Sequence, residues 1–170
     1  MHYGGNGVTS ETHKEGYAMT HNMAGIEAEI ERHHASMVRK LKELAVQVLD
    51  AGDPDDLNRV RANFVDYVDE ELLPHAAAEE LTLYNRGAQE PSLTILVASM
   101  IREHEILRDL RNAVHQATSL TQIRQGTGAL VGVFETHAAK ENEFLVPALI
   151  AAGVDVGALL GTMRHELAGR

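Results

Sequence analysis

The stretch LLPHAAAEELTLY, residues 72–84, returns in altered form as FETHAAKENEFLVPAL, residues 134–149. Both copies contain the pattern His-Ala-Ala-x-Glu, which pairs His75 with Glu79 and His137 with Glu141. A spacing of four places the two side chains of a pair on one face of a helix, one turn apart. The alanines between them leave room beside the backbone for a bulky group. The repeat therefore predicts two helices that each present an imidazole and a carboxylate side by side.

The apolar positions around each pair indicate which way that face points. In the first copy, Phe64, Val68 and Leu72 lead to the histidine at helical spacing. In the second, Phe134 leads to the histidine and Leu145 follows the glutamate. Both pairs should therefore point into the core, where an imidazole and a carboxylate cost free energy unless they are paired or bind a metal. Two such pairs predict a metal site inside the protein.

Two further predicted helices each carry a histidine on the inner face. In one of them, His104 lies between Met100 and Leu107. In the other, His33 and His34 lie almost equally near the centre of the apolar stripe. The pattern His-x-x-(Leu or Met), which occurs from His104 to Leu107 and again from His34 to Met37, favours His34. Imidazoles and carboxylates without sulfur suit iron or another first-row ion better than magnesium or a structural zinc.

Helical periodicity runs along most of the chain and predicts an all-α fold. Four long helices and a short fifth are expected, at about 23–51, 54–87, 91–114, 119–152 and 154–167. Asp53 and Pro54 should start the second helix as its N-cap and first residue, and Pro74 should kink it. Short polar links between the long helices predict an up-down-up-down four-helix bundle. Residues 1–21, rich in glycine and polar side chains, are predicted to form a flexible arm before a bundle domain at 22–170.

Composition excludes several classes of function. A net charge of -10 argues against a nucleic-acid or anionic-membrane partner, since both attract basic surfaces. The absence of cysteine excludes disulfides, zinc thiolates, iron–sulfur clusters and cysteine nucleophiles. No apolar run approaches the roughly 20 residues that span a bilayer. The first 20 residues lack the apolar middle of a signal peptide, so a cytoplasmic location is expected.

The order His, HxxxE, His, HxxxE along four helices resembles the hemerythrin HHE cation-binding family. The phrases HAAAEELTLY, MIREHEIL and HAAKENEFLVPALIAAGVD are similar to those of its actinobacterial-type members, and the likeness extends from about Gly25 to Arg170. The resemblance implies two non-haem iron ions joined by an oxo or hydroxo group. It implies that the irons are bound by His34, His75, His104 and His137 and bridged by Glu79 and Glu141.

Two departures from the oxygen-carrying members of this family affect the implied site. Those proteins have a second histidine on the third helix, where this chain has Met100, and an aspartate in HxxxxD spacing, where it has Glu141. One iron would therefore lack a ligand. The candidates to replace it are water, Tyr67, Glu103, His33 or a histidine of the arm. Tyr84 is expected to pack at the end of the bundle instead.

The resemblance implies a protein that binds O2 at an open iron position, for storage, delivery or sensing. The missing histidine also leaves open an enzyme that acts on peroxide or nitric oxide. A third alternative is iron storage or donation. A sensor would act through a partner protein that the sequence does not identify.

Overall fold

The computed structural model describes the backbone of residues 11–169 and the side chains of residues 24–169. This part of the chain is helical, with no strand, which confirms the predicted all-α class. Five helices follow one another: α1 (Glu11–Asp50), α2 (residues 54–87), α3 (Thr94–Gln116), α4 (residues 120–151) and α5 (Val156–Ala168). The helix that was expected to begin near Met23 begins at Glu11 instead. Residues 1–10 of the predicted arm lie outside the described residues.

Local capping signals set the start of α2 and of α4. The carboxylate of Asp53 accepts hydrogen bonds from two main-chain N–H groups of the first turn of α2, and Pro54 is the first helical residue, as predicted. Ser119 caps α4, and Gln122 completes a capping box with it. These caps satisfy N–H groups that have no partner within the helix.

Both helices that carry a His-Ala-Ala-x-Glu pattern contain π-helical turns. In α2 the order is Pro54–Tyr67, a π turn at Val68–Leu72, Leu73–Glu79, a second π turn at Glu80–Tyr84, and Asn85–Gly87. In α4 the order is Leu120–Lys140, a π turn at Glu141–Leu145, and Val146–Ala151. A π turn holds one more residue than an α turn and often lies at a functional site. The helical register therefore changes directly after Glu79 in one pattern and from Glu141 onward in the other.

The first π turn explains how α2 continues through Pro74. The N–H of Leu73 donates to the oxygen of Val68, five residues back, so the ladder has already shifted where the proline removes a donor. In α4 the same arrangement precedes Pro147, where Val146 also donates five residues back. The backbone stays helical through each proline, and the kink predicted at Pro74 takes the form of a π turn.

The helices pack side by side around a common interior. α1 packs against α2 and α4, α3 packs against α2 and α4, and α5 lies across α1 and the second half of α2. One apolar cluster fills the bundle around Leu41, Phe64 and Leu130, and another lies around Leu83 and Leu149. The buried polar side chains among the described residues are His34, His75, Glu79, Thr82, His104, Thr127, His137 and Glu141. Every residue predicted to bind metal is therefore buried. Among the described helices, none has the length and hydrophobicity that a membrane crossing needs.

Candidate metal centre

Glu79 lies between two pairs of histidines inside the bundle. Its Oε1 atom is 2.6 Å from His75 Nε2 and 3.3 Å from His34 Nε2. Its Oε2 atom is 3.5 Å from His104 Nε2, which is itself 3.0 Å from His137 Nε2. The ligand atoms of His34, His75 and Glu79 all lie within 4.8 Å of one another, and so do those of Glu79, His104 and His137. One carboxylate is therefore shared between two groups that each have the spacing to hold a metal ion.

Glu141 completes the cluster from α4. It is fully buried, and its Oε2 atom is 3.3 Å from His34 Nε2. Neither of its carboxylate oxygens has a hydrogen-bond partner among the described residues. A buried carboxylate without partners is costly unless a positive charge lies beside it. Its position and its unsatisfied oxygens therefore fit a metal ligand.

The pKa values of the two buried carboxyl groups are shifted in opposite directions. Burial and the charge of Glu79 raise the pKa of Glu141 well above its usual range. Burial would also raise the pKa of Glu79, but the histidines around it, His75 first, outweigh that effect and hold the pKa well below its usual range. Glu141 therefore keeps its proton to higher pH than Glu79 does in the metal-free protein. A metal ion would displace the proton of Glu141.

Three of the four histidines are held in orientation by a hydrogen bond from Nδ1, the ring nitrogen that faces away from the cluster. The pairs are His34 Nδ1 with Asn142 Oδ1 at 2.8 Å, His104 Nδ1 with Glu80 Oε1 at 2.9 Å, and His137 Nδ1 with Glu103 Oε2 at 3.0 Å. In each pair the Nδ1–H group donates to the oxygen, which leaves Nε2 as the atom that faces the cluster. Histidines that bind metals are generally oriented in this way.

The two carboxylates behind His104 and His137 are themselves held by cations. Arg108 donates to Glu80 at 2.8 Å, and Lys140 forms an ion pair with Glu103. Burial lowers the pKa of His137 to about 4, so that its ring is neutral near pH 7 and able to bind a metal. This half of the cluster is thus oriented before any ion binds.

The model of the family described as the hemerythrin HHE cation binding domain matches residues 25–149 of the chain. The chain belongs to this family. No curated protein and no solved structure gave a match in the other two comparisons. The matched residues of the hemerythrin domain include all six predicted ligands, while α5 lies beyond them.

Tyr84 lies beside the cluster of the hemerythrin domain. Its hydroxyl is 3.1 Å from His137 Nε2 and 3.5 Å from His104 Nε2, so the prediction that it packs at the end of the bundle was wrong. In a straight α-helix a residue five positions after Glu79 would lie about 140° away around the axis. The π turn at Glu80–Tyr84 adds a residue and returns the phenol to the face of Glu79. Nothing in the sequence alone marked this turn.

The other side chains proposed to complete the hemerythrin site lie elsewhere. The hydroxyl of Tyr67 donates to the main-chain oxygen of Met37 at 3.5 Å. Glu103 lies behind His137 and contacts its outer nitrogen. His33 is exposed, and its ring centre is 4.9 Å from that of His75. His34 is the histidine that α1 places in the cluster, because its Nε2 atom lies beside Glu79. The histidines of the predicted arm have no described side chains.

A cavity of about 360 Å³ connects the surface of the hemerythrin domain with one half of the cluster. It lies between α1, α2 and α5, and its apolar wall includes Leu83, Leu160 and Met163. Its inner end is formed by His34, His75 and Glu79, and Arg32 and Arg164 also line it. The half of the cluster at His34 is thus reached from solvent, beneath a helix that lies outside the family match.

Proposed function

We propose that this protein is a non-haem di-iron protein of the hemerythrin type, built on an up-down-up-down bundle. His34 and His75 would bind one iron, His104 and His137 the other, and Glu79 and Glu141 would bridge them. The observation that carries the proposal is the position of Glu79, whose two oxygens face two separate pairs of histidines. The donor set of imidazoles and carboxylates suits first-row metals such as iron.

The function that we propose for the centre is binding of O2 in the cytoplasm, for storage, delivery or sensing. Two ferrous ions would supply the electrons that O2 binding requires. The protein itself contributes a shielded site, since Glu79, His104 and Glu141 expose 1% of their surface or less. The histidines are held in place by Asn142, Glu80 and Glu103, so that the site needs little reorganisation when an ion binds.

An enzyme that acts on peroxides is the second candidate, and the cavity beside His34 and His75 favours it. A volume of about 360 Å³ falls in the range of small-molecule sites and far exceeds what a diatomic ligand needs. Its apolar wall suits the hydrocarbon part of an organic hydroperoxide. The cavity thus gives substrates larger than O2 a route to one half of the centre.

Metal analysis combined with reaction of the reduced protein tests the proposal and separates the two candidates. We expect two irons per chain after anaerobic loading. A carrier should bind O2 reversibly and release it under vacuum, whereas a peroxidase should be oxidised rapidly by a bulky organic hydroperoxide and bind O2 only fleetingly. Iron content well below two per chain after loading would refute the di-iron assignment.

Substitution of Tyr84 with phenylalanine should abolish any phenolate-to-iron absorption of the oxidised protein without reducing its iron content. The phenol lies next to the ring nitrogens of His104 and His137, at the side of the centre where Met100 offers no ligand for ferric iron. Burial and the charge of Glu79 raise the pKa of Tyr84, so the phenol stays protonated unless a metal replaces its proton.

The matched control for this experiment is Tyr67→Phe, because among the side chains described from residue 24 onward that hydroxyl donates to a main-chain oxygen of α1 and not to the cluster. The control should leave the visible spectrum unchanged. Identical spectra for Tyr84→Phe and the unmodified protein would show that the phenol does not bind iron.

A further inference from the structure

A second cavity, of about 290 Å³, lies beside the first, and His33 lines both. Glu70 and Glu71 line it from α2, and Leu167 of α5 lies at its edge. His75 forms part of its wall and also of the wall of the first cavity. An acidic opening at the surface therefore leads to a histidine of the metal centre.

His75 differs from the other three histidines of the centre. Its side chain is buried, with 4% of its surface exposed, yet its Nδ1 atom has no hydrogen-bond partner among the described residues. The other three rings are each fixed by an oxygen behind them. The ring of His75 is therefore the one that can turn without breaking a hydrogen bond at its outer nitrogen. A buried donor or acceptor without a partner costs free energy, which a cation or a water in the cavity would offset.

We propose that this acidic cavity is the uptake site through which ferrous iron, a divalent cation, reaches the centre. Glu70 and Glu71 collect the hydrated ion at the surface, and His33 and the free Nδ1 atom of His75 take it up as it loses water. The inference rests on the proposed di-iron function, because the ion has to have a destination inside the bundle.

The geometry fits a site of passage rather than of storage. Among the described residues, the groups close enough to hold an ion are the two that share Glu79, and neither includes Glu70, Glu71 or His33. Ions on their way to a tighter site need weak binding, since strong binding would trap them. The ring centres of His33 and His75 are only 4.9 Å apart, so an ion can pass directly from one imidazole to the other. Glu71 lies one helical turn before His75, on the same side of α2.

The rate of iron uptake tests this proposal. Metal-free protein is mixed anaerobically with ferrous iron, and binding is followed by stopped-flow absorbance and by iron content at completion. The double substitution Glu70→Gln and Glu71→Gln should slow uptake at least fivefold, because it removes both charges from the opening. The final content should remain two irons per chain, because the centre itself is unchanged. His33→Asn should also slow uptake.

The control is the double substitution Glu43→Gln and Asp50→Asn, which changes the net charge equally at exposed positions of α1 outside the cavity. It should load at nearly the rate of the unmodified protein. Equal slowing in the two double variants would mean that only overall charge matters, and an unchanged rate in the Glu70 and Glu71 variant would also overturn the proposal. Failure of the unmodified protein to bind two irons would instead refute the di-iron function.

Discussion

Substitution of Glu79 with glutamine is expected to remove both irons from the protein. The two oxygens of Glu79 face different pairs of histidines, so each group of ligands loses its shared member at once. Loss of a residue that only supports a ligand weakens metal binding by about 10–100-fold, and loss of a shared ligand should exceed that at both positions. Iron content after loading and desalting should fall close to zero.

Two comparison variants make the result specific to the shared position. Glu80→Gln alters the neighbouring residue, which supports His104 from behind, and should weaken binding while two irons still load at high iron concentration. His137→Ala removes a ligand from one half only and should leave about one iron per chain. Two tightly bound irons in the Glu79→Gln variant would show that Glu79 does not bridge.

The same substitution should also remove the stabilisation that metal binding gives to the fold. A ligand present at about a thousand times its dissociation constant raises the free energy of unfolding by about 4 kcal/mol. The unmodified protein should therefore unfold at a clearly higher temperature with iron than without it. The Glu79→Gln variant should show little difference between the two conditions in the same thermal scan.

Local signals predicted the elements that hold the site. The start of α2 at Asp53 and Pro54 and the start of α4 near Ser119 depend on capping groups within one turn, which a single sequence displays. The inward direction of the two His-Ala-Ala-x-Glu patterns follows from helical periodicity, because the apolar face of each helix packs against the core and the patterns lie on that face. Periodicity alone left His33 and His34 undecided, and the structure places the ring nitrogen of His34 beside Glu79.

The π turns could not be predicted in this way, because they depend on how a helix fits its neighbours. Pro74 predicted a disturbance in α2, but the turn at Glu80–Tyr84 has no proline directly after it. A helix of constant pitch therefore placed Tyr84 on the wrong face. The start of α1 was missed for a different reason, since the glycines that suggested an arm lie mostly in residues 1–7 and no proline lies between Glu11 and Asp50.

Substitution of Glu141 with glutamine should stabilise the metal-free protein and abolish iron loading. The carboxyl group is fully buried, has no hydrogen-bond partner among the described residues and lies close to the ionised Glu79. A neutral amide of the same shape needs no proton to be uncharged beside Glu79, so folding no longer has to keep a proton on a carboxyl group that is ionised in the unfolded chain. Because each pH unit over which only the folded protein keeps this proton costs about 1.4 kcal/mol, we expect a gain of about 1 kcal/mol or more in the free energy of unfolding at pH 7. Urea unfolding after treatment with a chelator measures this gain.

The pH dependence of that gain identifies its cause. The pKa of Glu141 is raised in the folded protein, so the unfolded chain loses this proton at lower pH than the folded protein does. The free energy of unfolding of the metal-free protein therefore falls as pH rises from the usual glutamate range toward the raised pKa. The lowered pKa of Glu79 has the opposite effect, because the stability that it contributes is lost as pH falls below the usual glutamate range. This effect is present in Glu141→Gln and in the unmodified protein, so it does not contribute to their difference. The difference between Glu141→Gln and the unmodified protein should thus grow as pH rises from the usual glutamate range toward the raised pKa of Glu141.

Addition of iron should reverse the order of stability of Glu141→Gln and the unmodified protein. The unmodified protein exchanges the proton of Glu141 for metal, so its affinity for iron should rise with pH, and it should become the more stable of the two. The variant cannot supply a second bridging carboxylate and should gain little from iron. A Glu141→Gln protein that is less stable than the unmodified protein without metal at every pH would show that Glu141 supports the fold itself. The expected reversal would instead show that the buried carboxyl group destabilises the empty bundle and is retained because the metal centre requires it.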